Sequence, residues 1–189
     1  TAQAVVRAPD ALPVADILRS VSPPEQELLR LVLLAPEAHD QVLDAIGADR
    51  FPSQVGRELF RAVAEARARD DRGVRPPFAL SQILDGLDEE TRALGQALLS
   101  RSGPDLRLLS DHSLSVAIEQ SILDLEEGEW LERSDFNRDS TAEAEREGDS
   151  VTVDRLMLER RLLNEQRRSL DKRRDQTRLL ARPSAVAAG

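Results

Sequence analysis

The chain is predicted to be all-α, and three observations predict it. Apolar residues recur three and four apart along most of the sequence, the spacing of one helix face. Aromatics make up only 3% of the residues, with no Tyr, one Trp and four Phe, in a mix rich in the helix formers Leu, Ala, Glu and Arg. Caps and breakers also fall at the ends of the periodic segments, where helices start and stop. With 189 residues, 40% of them hydrophobic, the chain can bury one core of ordinary size and a satellite element. The expected architecture is a globular helical bundle, then a long helix and a C-terminal helical hairpin.

Residues 1–21 hold two prolines, small residues and a short apolar patch at Val14, Ile17 and Leu18, and are expected to be a linker with at most one loose turn. The chain begins at Thr1, so a missing upstream region is expected to precede this linker. Ser22 is an N-cap residue, Pro23 suits a first helical position, and Glu25 completes a capping box. The helix that follows is apolar nearly all round at Leu28, Leu29, Leu31, Val32 and Leu34, which places it at the centre of the bundle. Pro36 ends it. A second helix over about 37–46 stops at Gly47, a good left-handed cap, and a third runs from Ser53 to about Arg69 after Phe51-Pro52.

After the loop "DDRGVRPP", shorter helices are expected over 78–86 and 88–101, followed by "SGPD". From Asp105 to about Arg133, Leu106, Leu109, Leu114, Ala117, Ile118, Ile122 and Leu125 keep helical spacing over a length unusual for a bundle helix. The last helix, about Ser150 to Leu180, carries Val153, Leu156, Leu163 and Leu170 at intervals of three and seven, with Arg160 and Arg167 at alternate positions. So narrow a stripe fits a two-helix hairpin better than a core. These readings divide the chain into a linker (1–21), a bundle (22–128), a hairpin (129–182) and a flexible tail (183–189).

Few residues could do chemistry. There is no Cys, and the two His are too few for a His-based metal site, so neither a metal nor another cofactor is expected. His39 and His112 lack a nucleophile or metal-spaced partner nearby and read as surface histidines. The acidic run "DLEEGEWLERSDFNRD" lacks the spacing and turn glycine of a calcium loop and reads as a solvated acidic face. No Gly-rich phosphate loop or nucleophile elbow occurs, so no catalytic residue is assigned. No apolar run approaches the 18 residues or so of a membrane span, and the chain is expected to be cytoplasmic.

Charge is segregated. Residues 124–149 hold eleven acids and three Arg, whereas 154–182 hold ten bases and five acids, within a net charge of −9. The basic segment "RRLLNEQRRSLDKRRDQTR" could meet phosphates, but it has no aromatic for stacking bases, and the acids upstream can neutralise it inside an antiparallel hairpin. Strong nucleic-acid binding is not expected. Trp130, the sole tryptophan, is either the hairpin's anchor or an exposed contact residue.

"SPPEQELLRLVLLAPE", a short helix, "FPSQVGRELFRAV", a long helix and a final charged helix follow in an order that resembles the C-terminal helicase-interaction domain of bacterial replicative DNA primases. The likeness covers about residues 22–180. It implies a bundle and a helical hairpin, the hairpin docking on the N-terminal region of the hexameric replicative helicase, and a parent chain that synthesises RNA primers. The N-terminal domain of that helicase shares the bundle architecture and is the rival reading; a nucleic-acid-binding module is another. On the primase reading the fragment is a non-catalytic, monomeric interaction domain, and the partner-binding face is expected to hold Leu163, Arg167, Leu170 and Arg174, with Trp130.

Overall fold

The computed structural model describes residues 13–35, 38–70, 80–101 and 110–181. Among them there are eight α-helices, one short 3-10 turn and no strand. The expected loop over 70–77, the segment 102–109 and the tail 183–189 lie wholly or largely outside the described residues. The chain divides into two compact units, residues 1–109 and 110–189.

The first unit contains α1 (Val14–Ser20), α2 (Pro23–Leu34), α3 (Ala38–Ala45), α4 (Gln54–Asp70), α5 (Leu80–Asp85) and α6 (Glu89–Ser100), with the 3-10 turn at Ala48–Arg50. Helix α2 packs on α3, α4 and α6. Leu28, Leu29, Leu31 and Val32 are each at most 1% exposed, which confirms its central place. Phe51 stacks on Phe60 of α4, ring centroids 4.8 Å apart.

The joint between α2 and α4 is polar. Glu25 is 1% exposed, and its carboxylate accepts from the Ser22 amide at 2.9 Å, the Ser53 amide at 2.9 Å and the Ser53 hydroxyl at 2.8 Å. One side chain therefore closes the capping box of α2 and fastens the start of α4. A buried carboxylate is tolerated here because donors meet it on both oxygens.

The linker expectation for residues 14–21 is overturned. Residues Val14–Ser20 form α1, which packs on α6, with Ile17 and Val21 buried. Gln26 of α2 donates to the carbonyls of Leu18 at 2.7 Å and Val21 at 2.8 Å, tying down the end of α1. Seven residues are too few to display a periodicity, and the donor that secures them lies in the next helix.

The second unit is a helical hairpin of α7 (Asp111–Glu147) and α8 (Ser150–Leu180). This corrects the boundary expected at residue 129, and the long helix is the hairpin's first arm rather than a connection to it. Glycine 128 lies inside α7 with no break in the helix. The reason is length: a 31-residue α8 running back from a two-residue turn needs a comparably long partner, which carries the pairing far upstream of Gly128. Gly148 makes the turn with φ +73°, a conformation that favours glycine, and Asp149 caps α8 by accepting from the Thr152 amide at 3.1 Å.

Candidate protein-docking site

Within the hairpin, α8 meets α7 through the Leu156, Leu163, Leu170 and Thr177 row, all buried. Two side chains of α7 fix the register by donating to carbonyls of α8. The Trp130 indole reaches Leu163 O at 2.7 Å, and the Asn137 amide reaches Leu156 O at 3.0 Å. The acceptors step back by seven residues as the donors step forward by seven. One heptad further from the turn, the same register sets buried Leu123 opposite buried Leu170. Trp130 is thus the hairpin's anchor, the first of the two roles open to it.

Arginines of α8 close the seam on both sides. Arg173 pairs with Glu119 at 2.9 Å and Glu126 at 2.5 Å. Arg174 pairs with Asp124 at 2.5 Å and Glu127 at 2.6 Å. Arg167 pairs with Glu127 and lays its guanidinium 5.0 Å from the centre of the Trp130 ring. The hydrogen bond from Arg167, helped by the charge of Arg174, holds the Glu127 carboxyl below its ordinary value, and Glu127 in turn raises Arg167. Burial pulls Arg173 down, but its hydrogen bond to Glu119 and the charge of Glu126 leave it raised.

The expected partner face is therefore corrected. Leu163 is 2% and Leu170 4% exposed, and Arg167 and Arg174 are paired with acids of α7, so this set is the inner seam of a closed hairpin. A row of leucines every seven residues does not say whether its complement lies on the same chain. The run "DLEEGEWLERSDFNRD" is likewise more than a solvated acidic face, since Asp124, Glu126 and Glu127 hold those arginines.

Among the described residues an exposed apolar row lies on the outside of α8. Val151, Leu158 and Leu162 are 78%, 60% and 64% exposed and share one side of the helix. Sequence reasoning missed them because the more regular inner row drew the heptad reading. The signal was present as a second i, i+7, i+11 series. On α7, Leu131 and Phe136 are also exposed.

His112 bonds the Leu180 carbonyl at 2.9 Å, so it caps the end of α8 as well as lying at the surface; the side chain of His39 lies outside the described residues. Among the described residues no group of three or more His, Cys, Asp or Glu is placed to hold a metal ion. No helix among them is long and apolar enough to cross a membrane. The chain matches no family model, no curated protein and no solved structure.

Proposed function

We propose that this chain is the non-catalytic helicase-interaction domain of a bacterial replicative primase, a cytoplasmic protein that brings primer synthesis to the fork by binding the N-terminal region of the hexameric replicative helicase. The observation that carries this reading is the division into a small helical bundle and a separate two-helix hairpin, the two parts that the sequence resemblance implies. A closed hairpin offers a partner a pre-ordered helix surface, so little conformational entropy is lost on docking. No cofactor enters this function, and its chemistry is that of a shared surface.

The test is titration of the full chain into the cognate helicase N-terminal region, followed by calorimetry. Saturable micromolar or tighter binding is the expected outcome. A flat titration overturns the reading. A bundle with the helicase's own N-terminal architecture remains the rival; on that reading the chain self-assembles into rings instead, which sedimentation distinguishes.

A further inference from the structure

Two rows of side chains run side by side along the outside of α8. The first is apolar: Val151, Leu158 and Leu162, all well exposed. The second is cationic: Arg161, Arg168 and Lys172, at the same i, i+7, i+11 spacing and rotated from the first by about 80° at 100° per residue. None of these three cations forms an ion pair among the described residues, and the same is true of Arg155 and Arg160. The acids of α8 without an ion pair there are only Asp154 and Glu165, because Glu159 meets Arg133, Asp171 meets Arg167 and Asp175 meets Arg178. The charge left over on this helix is thus net positive, beside an uncovered apolar ridge.

We propose that the outer face of α8, centred on Leu158, Leu162, Arg161 and Arg168, docks an amphipathic helix of a partner protein whose apolar ridge is fringed by acidic side chains. This inference rests on the recruitment reading above and names the surface and the chemistry it selects. The apolar row supplies buried area, and the cation row sets orientation and speeds encounter.

Charge and shape disfavour the other occupants. A second copy laid antiparallel on the same face brings like-charged rows together. A nucleic acid gains nothing from an aliphatic ridge that cannot stack on bases. A lipid surface would meet Asp154 and Glu165 beside Val151, Leu158 and Leu162, two acids that an anionic headgroup layer repels.

The experiment titrates the full chain and two double variants, Leu158→Glu with Leu162→Glu and Arg161→Glu with Arg168→Glu, against the cognate helicase N-terminal region. All four positions are exposed and outside the hairpin seam, so helicity and melting should match the parent in far-UV circular dichroism. The apolar double variant is expected to lose about 30-fold or more in affinity. The charge-reversed variant should lose about tenfold at low salt, and the loss should shrink as salt rises. Leu131→Glu, an exposed leucine on the other arm, should bind like the parent.

If the parent does not bind, the recruitment reading falls and this surface with it. If the parent binds and both double variants bind equally well, the surface assignment alone is overturned. A concentration-dependent dimer abolished by the apolar variant would reassign the face to a second copy. Single-stranded oligonucleotide binding abolished by the charge-reversed variant would reassign it to nucleic acid. Either result overturns the proposal.

Discussion

Glu25 and Gly56 show how tightly one joint can be specified. A Cβ at Gly56 would stand 2.6 Å from Ser53 Oγ and 3.0 Å from Glu25 Oε1, the two atoms that lock α2 to α4. Alanine is the better helix former by about 1 kcal/mol, yet Gly56→Ala should destabilise the first unit because the displaced hydroxyl is already bonded on both sides. At Gly128 a Cβ meets nothing within 4 Å, so the same substitution there should raise stability by about 0.5–1 kcal/mol. Urea denaturation of both variants checks the opposite signs; two shifts of the same sign would refute the packing argument. Glu25→Ala should cost about 2–4 kcal/mol, since half-buried donors of Ser22 and Ser53 lose a buried, charged acceptor. The capping-box half of Glu25's role is legible in "SPPE", because it is local. Its bonds to Ser53, 28 residues on, are not.

The hairpin seam is held by one apolar position per heptad on α8, with ion pairs along its flanks. Leu163→Ala should therefore cost about 2–4 kcal/mol, a large share of what holds the arms, and show first as faster amide exchange in α7 and α8. Acid should act on the same seam. Glu127 is held below its ordinary 4.5, so its share of stability is complete above that value and is lost as pH falls through its lower folded value. Melting of the hairpin should drop on acidification below about pH 4.5, and Glu127→Gln should flatten that part of the profile. An unchanged profile in the variant would remove Glu127 from the account. The heptad of α8 is visible in the sequence, but its complement on α7 is not. Leu123 and Trp130 are joined there by polar Asn137 and small Ala144. The denser buried series Leu114, Ile118, Ile122 and Leu125 on the same helix obscures them.

At the level of the whole chain, an all-helical fold follows from composition, caps and period because each of these acts within a few turns. The division between the units does not, because it depends on how far α8 reaches back along α7. The acid-rich and base-rich halves of the hairpin were legible as potential partners, and most of the close ion pairs between the arms join them. Which cations would be left over was not, since sequence shows charge but not who has already been paired. If the proposed docking holds, binding to the helicase region should weaken only in part with salt: screening reaches the outer cations, while the apolar contacts persist. A salt-independent constant between low and high ionic strength would deny the outer cations any part in docking.

The shared register of Trp130 and Asn137 has one more consequence, for how such a hairpin can change over evolutionary time. A single residue inserted in mid-arm rotates everything beyond it by about 100° and sets one half of the leucine row against solvent. Seven residues added to both arms restore the match, moving the turn by about 10 Å. The hairpin is in this sense a ruler with discrete marks. Its length can drift only in whole heptads, taken by both arms together.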